Sequence, residues 1–232
     1  MRQCTILSSI IIIALSAFTV TAQKNAGKQL TDAVDKVNDA SAAINQIMRA
    51  SDKGIPRDLL NKAEAVVIFP GTLKAAFVFG GQGGSGVAIK RVGNGWSAPA
   101  FLKLGGGSFG AQIGGAKTDY ILLIMNDNGL KSLLSDRFEM GGEGSVVAGP
   151  VGRTAAASTT ATLGAEILTY SRSKGLFAGV SLKGVVITHD DDRNLAIYNK
   201  NANQILGIPP VLSSDAPSAL QRLGDTLETY AK

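Results

Sequence analysis

The sequence predicts an α+β fold: a strongly bent antiparallel sheet, or a barrel-like β core, with packed helices at its N-terminal and C-terminal ends. Three observations predict it. Between 24 and 49, apolar residues recur every three or four positions, the period of a helix with one buried stripe. From Ala65 to about Tyr198 they fall instead in short runs or alternate with polar residues, as strands do, and glycine and Asn-Gly turns punctuate them. A second helical pattern closes the chain over 217–230. No fixed-period repeat and no flexible linker divides the β region, so a single domain over 23–232 is expected.

The first helix carries Leu30, Val34, Val37, Ala40, Ile44, Ile47 and Met48 on one side, and Lys28, Asp32, Asp35, Lys36, Asn38, Asp39 and Asn45 on the other. Its polar face is mixed in sign and its apolar face has no Trp or Phe. Both features favour packing on the sheet over lying in a membrane interface. Asp52-Lys53-Gly54 ends this helix, and Pro56 opens a short one through Lys62, where proline suits a first helical turn. Strands are predicted at 65–69, 75–80, 86–91, 97–103, 109–114, 120–125, 145–151, 166–171, 176–182, 185–189 and 195–198. Gly93-Asn94-Gly95 and Asn126-Asp127-Asn128-Gly129 are turns, and 130–134 is a short helix. In the 176–182 strand, Leu176, Ala178, Val180 and Leu182 alternate with Phe177, Gly179, Ser181 and Lys183, which assigns the first set to a core. Val185-Val186-Ile187 follows closely enough to form a hairpin with it. Residues 202–206 form a helical turn. The closing helix has Leu220, Leu223, Leu227 and Tyr230 on one side.

Composition limits the chemistry. The chain has 232 residues, 28 glycines, 6% aromatics and a net charge of +5. That excess is mild and spread along the chain, without the basic runs of a nucleic-acid binder. Met1-Arg2, the apolar run from Ile6 to Phe18 and Val20-Thr21-Ala22 have the pattern of a signal peptide cut near Ala22. The apolar run falls short of the roughly 20 residues a transmembrane helix needs. The expectation is therefore an exported protein, periplasmic, envelope-associated or secreted. Cys4 is the only cysteine and precedes the apolar run, so it cannot serve as a lipoprotein cysteine. With 1–22 removed there is no thiol for a disulfide, a nucleophile or a metal.

Three motifs invite stronger readings. Gly106-Gly107-Ser108-Phe109-Gly110 matches the hydrolase elbow G-x-S-x-G, but no helix can follow it and His189 is the only histidine available as a base. Gly80-Gly81-Gln82-Gly83-Gly84-Ser85-Gly86 could cradle a phosphate, yet lacks the Lys-Ser/Thr ending of a P-loop; a hairpin connection or bulged strand is the plainer reading. Asp190, Asp192 and Asn194 begin like a calcium loop, but Leu195 and Asn201 stand where Gly and Glu are required. A solvated hairpin turn is expected there. No enzyme activity, metal or cofactor is expected.

Tyr170-Ser171-Arg172-Ser173-Lys174-Gly175-Leu176-Phe177-Ala178-Gly179-Val180-Ser181-Leu182-Lys183-Gly184 resembles the signature of the SYLF family. Gly54-Ile55-Pro56, Ala65-Val66-Val67-Ile68-Phe69-Pro70, Lys74-Ala75-Ala76-Phe77-Val78-Phe79-Gly80-Gly81, Trp96-Ser97-Ala98-Pro99-Ala100, Gln112-Ile113-Gly114-Gly115 and Thr118-Asp119-Tyr120 continue the resemblance in order. It covers about 50–199. The resemblance implies a non-catalytic domain that binds phosphoinositide or other anionic lipid, with actin binding in some fungal members. Because an exported protein would not meet its own cell's actin, the actin role is not expected to carry over. Lys53, Arg57, Lys62, Lys74, Arg172 and Lys174 are the cations expected to contact lipid headgroups. An envelope protein that binds another protein through exposed strand edges is the alternative.

Overall fold

The computed structural model describes residues 27–49, 54–76, 80–108, 114–141, 146–152, 164–173 and 175–231. Helix α1 spans 27–48, and α2 (Arg57–Lys62) follows with Pro56 as its N-cap. The sheet is then built from β1 (Ala65–Ala76), β2 (Gly80–Val92), β3 (Gly95–Trp96), β4 (Ala100–Ser108) and β5 (Gly114–Ile124). After α3 (Asp127–Leu133) come β6 (Arg137–Glu139), β7 (Val146–Ala148), β8 (Ile167–Ser173), β9 (Leu176–Gly179) and β10 (Val185–His189). Helices α4 (Asp191–Tyr198), α5 (Ala202–Leu206) and α6 (Arg222–Glu228) complete the chain.

The strands order as β6-β10-β4-β2-β1-β5-β8-β7 and curl into an open half-barrel, with β3 added to β2 and β9 to β8. Every pairing is antiparallel except β7 with β8. Strand β1 lies at the centre, and its run Ala65-Val66-Val67-Ile68-Phe69 is apolar throughout because both faces are covered. Val66 and Ile68 face α1, Leu60 and α6 in one core, where Val37, Ile44, Ile47, Leu223 and Leu227 meet them. Ala65, Val67 and Phe69 face the other core, with Tyr120, Leu122, Phe138, Ile205 and Leu206. The outer helices are tied together as well: Tyr230 donates to Asn45 at 2.7 Å and Arg222 to Asn38 at 3.0 Å. Helix α1 is thus a buried structural element, as its mixed polar face implied.

The bend has a chemical origin in β1. Its register shifts between Ile68 and Leu73 against β2, and between Phe69 and Thr72 against β5. Pro70 and Gly71 occupy the shift. Proline cannot donate to a ladder, and Gly71 sits at φ 60°, so the pair forms a bulge that bends a central strand. The glycines of β2 serve the same bend. A Cβ on Gly86 would overlap the Phe69 ring and lie 2.6 Å from the Ile68 carbonyl; one on Gly84 would lie 2.8 Å from the Thr72 hydroxyl. Gly80 to Gly86 are therefore paired strand, with their backbone facing β1 and β4. This accords with the plainer reading of that segment.

Other expectations need correcting. Of the strand expected at 75–80, Ala75 and Ala76 end β1 and Gly80, the cross-strand partner of Ala76, begins β2, while 77–79 lie outside the described residues. Strand β9 pairs with β8, and β10 with β4 and β6, so the hairpin is β8–β9. Within β9 the faces are reversed: Leu176 is 78% exposed, whereas Phe177 stacks on Tyr170 with ring centroids 5.5 Å apart. The larger aromatic surface takes the buried side, and a four-residue alternation does not say which set it is. Residues 195–198 are helical rather than extended. Most of the 109–114 strand expectation lies outside the described residues.

Candidate functional site

The six cations expected at a lipid site do not gather in one place. Lys53 and Lys174 lie outside the described residues. Arg57 and Lys62 belong to α2, which precedes the Ala65 end of β1. Lys74 stands near the other end of that strand. At a rise of about 3.3 Å per residue, some 30 Å separate the two groups. Arg172, in β8, is on the Lys74 side, because Thr118 pairs with Ser173 just as Leu73 pairs with Lys117.

That side is the glycine-rich end of the sheet, where Ala76 and Gly80, Ser108 and Gly114, and Ser173 and Leu176 mark the strand ends. Its best-defined feature is a three-part clip. The Asp119 carboxylate accepts from the Gly71 N–H at 2.8 Å with one oxygen, and from Arg172 at 3.1 Å with the other. Both charged side chains are about a quarter exposed. Pro70, Asp119 and Arg172 thus come from three separate family-like strings, and the fold brings them together. The clip supplies an acceptor for a bulge N–H that the ladder leaves free. It also neutralises Asp119, one of two carboxylates among the described residues at this level of the sheet; the other, Glu139, lies on the β6 edge opposite Val186.

Two lysines remain. Lys74 holds its ammonium 5.3 Å from the centroid of the Tyr120 ring, whose hydroxyl donates to Gln82 at 3.1 Å. Lys117, opposite Leu73, is exposed and was not among the expected site residues. No sequence motif marked it; only the register of β1 against β5 places it here. Neither lysine forms an ion pair among the described residues. Because side chains alternate along a strand, Leu73, Lys117, Asp119 and Arg172 share one face. Lys74 and Leu176 share the other. The end therefore presents positive charge on both faces.

The remaining motifs resolve into structural roles. His189 pairs with Leu102, six residues along β4 from Ser108, about 20 Å at strand rise, so the histidine does not stand beside that serine. The acidic run begins α4, with Asp190 at the N-cap position and Asp191 and Asp192 in the first turn. Asp190 is buried and bonded to Lys103 at 2.9 Å and Arg193 at 3.2 Å. Asn194 accepts from the Phe101 N–H at 2.8 Å and donates to the Phe101 carbonyl at 3.0 Å. It continues the ladder with a side-chain amide, and the solvated hairpin turn expected here is replaced by a helix start. Arg91, also unforeseen, donates to the Leu60 and Ala63 carbonyls at the end of α2 and lies 4.3 Å from the Trp96 ring centroid. Desolvation by burial lowers its pKa. At this opposite end, an open groove of about 700 Å³ runs between Tyr198, Lys200, Pro209, Pro210 and Asp215. Ile208 beside it is 93% exposed.

A family model described as Ysc84, Las17-binding protein actin regulator, matches residues 105–230. The chain belongs to that family. The SYLF resemblance is thereby upheld. Similar proteins include LAS seventeen-binding protein 3 of Saccharomyces cerevisiae, 39% identical over 161 residues, which are 68% of this chain and 35% of the relative. Protein YSC84 of the same yeast is 37% identical over 161 residues, 68% of this chain and 34% of the relative. SH3 domain-containing YSC84-like protein 1 of Homo sapiens is 32% identical over 149 residues, 63% of this chain and 43% of the relative. The chain thus spans about a third to two fifths of the length of these relatives. The family description overturns one expectation: actin cannot be set aside as a partner, since the family that contains this chain is described as an actin regulator. That expectation rested on export, which was itself expected only from the pattern of residues 1–22 and not from the domain.

Proposed function

We propose that this Ysc84-family domain is a non-catalytic module that attaches to membranes rich in anionic headgroups, phosphoinositide-like ones among them. The observation that carries the reading is the uncompensated positive charge of the glycine-rich sheet end. There Lys74 and Lys117 stand free of ion pairs among the described residues, and Arg172 neutralises the adjacent carboxylate of Asp119. The leader-like residues 1–22 support an exported location for that surface. Each basic residue near an anionic membrane contributes about 1 kcal/mol, so the two lysines supply roughly 2 kcal/mol and charge alone makes a weak, salt-sensitive contact. Sedimentation of the full chain with vesicles tests the reading. Binding is expected to require anionic lipid, and equal binding to neutral vesicles would remove it.

A second reading is favoured by the family's description. As a member of a family described as an actin regulator, the domain is also a candidate protein-binding module. The groove beside Ile208, remote from the basic end, is the surface available for it. Co-sedimentation with filamentous actin tests that role independently of lipid.

A further inference from the structure

Among the described residues only six large apolar side chains are substantially exposed, and two of them, Leu73 at 58% and Leu176 at 78%, sit at the glycine-rich end. Their heights on the sheet can be read from the pairing. Leu73 is opposite Lys117, Thr118 is opposite Ser173, and Ser173 is opposite Leu176. The two leucines therefore stand within one residue step of the same level, three strand spacings apart, about 14 Å. They lie on opposite faces, Leu73 with Lys117 and Leu176 with Lys74. Each face of this end thus carries one exposed leucine and one lysine free of ion pairs among the described residues.

We infer that the glycine-rich end is a membrane-insertion edge, in which Leu73 and Leu176 enter an anionic bilayer while Lys74 and Lys117 engage its headgroups, the strands meeting the surface end-on. The inference rests on the lipid-binding reading above and adds how the contact is made. The charge argues for a bilayer as the occupant. Basic residues beside exposed apolar ones match the anionic headgroup layer over acyl chains, whereas the apolar surface near Ile208 has an acid, Asp215, set among its lysines Lys90 and Lys200. Insertion also supplies what two lysines lack, since burying a leucine side chain is worth roughly a tenfold gain in partition or more. Neither leucine belongs to the two cores among the described residues: Leu73 lies beyond the bulge and Leu176 opens β9.

A tryptophan placed at Leu176 reads the insertion directly. In the full chain bearing Leu176→Trp, the added indole is expected to shift to the blue and to be quenched by brominated acyl chains when phosphatidylserine- or phosphoinositide-containing vesicles are added. Trp96, buried at the opposite end, provides an internal reference that should not respond. Leu73→Asp with Leu176→Asp is expected to lower partition onto the same vesicles at least about tenfold, while Ile208→Asp leaves it unchanged. All variants should keep the parental unfolding midpoint, because the replaced side chains are exposed. Vesicle binding that persists with a water-exposed indole, or that is lost on Ile208→Asp instead, would overturn the insertion edge and leave lipid binding intact. Absence of any anionic-vesicle binding by the parent chain would overturn both.

Discussion

Asp119 holds Gly71 with one oxygen and Arg172 with the other, so its two jobs can be separated by substitution. Asp119→Ala leaves the bulge N–H and a partly buried guanidinium short of an acceptor, and should cost about 2–3 kcal/mol in urea unfolding. Asp119→Asn keeps an acceptor for Gly71 and loses only the charge opposite Arg172, so a smaller cost of about 1 kcal/mol is expected. Equal costs would mean that the bulge contact contributes nothing. Tyr170 and Tyr198 make a different prediction. Burial raises both phenol pKa values, and neither hydroxyl has a hydrogen-bond partner among the described residues. A phenol that stays protonated in the folded state contributes fully below its unfolded value, near 10. Above that pH the contribution is progressively lost, because only the unfolded chain releases the proton there. Stability should therefore fall by about 1.4 kcal/mol per pH unit per tyrosine above pH 10. Tyr170→Phe and Tyr198→Phe should each flatten that limb while leaving stability at pH 7 within about 1 kcal/mol of the parent. An unchanged alkaline limb would show that other groups set it.

At the scale of elements, the glycines of β2 divide into those the packing requires and those it does not. Gly86→Ala drives a Cβ toward the Ile68 carbonyl and the Phe69 ring in the central strand pair. Backbone cannot yield there as a side chain would, so a loss of at least about 2 kcal/mol is expected by thermal or urea unfolding. Gly107→Ala, with nothing within 4 Å of the added carbon, should be near neutral and serves as the control. The element scale is also where the sequence was most and least legible. Helix α1, the Pro56 start of α2, α5 and the span 185–189 could be read because periodicity and turn residues agreed over enough positions, whereas Asp127 to Gly129, expected as a turn, form the first turn of α3. The β9 face could not, because four alternating residues do not reveal that Phe177 would stack on Tyr170. The helix at 191–198 was hidden for a related reason. Its polar face is used inward, with Asp190 and Asn194 buried against Lys103 and the Phe101 backbone, so apolar periodicity carries no trace of it. Asn194→Ala should cost about 1–3 kcal/mol, since it strands the buried Phe101 N–H, while the Phe101 carbonyl keeps the Asp190 N–H.

Across the whole molecule, the decisive quantity is the length of β1. Whether the six expected cations converge is a tertiary question, and Lys62 and Lys74 are close in sequence. Twelve residues of strand turn that proximity into separation, with Arg57 and Lys62 at one end and Lys74 and Arg172 at the other. Lys117 joins the latter only through cross-strand register, which no single-sequence pattern encodes. The separation makes the lipid reading sharp enough to fail. Reversing charge at Lys74 and Lys117 converts the glycine-rich end from positive to negative without touching the Asp119 clip. At about 1 kcal/mol for each basic residue lost, binding to anionic vesicles should drop at least about thirtyfold, and repulsion from the acids gained should deepen the loss. The same reversal at Arg57 and Lys62 alters net charge identically, yet acts about 30 Å away, several Debye lengths at physiological salt. It should change binding less than about twofold under those conditions, and more only as salt is lowered. If the two double reversals weaken binding equally at physiological salt, attraction depends on the overall charge of the domain, and no end of the sheet is the membrane-facing one.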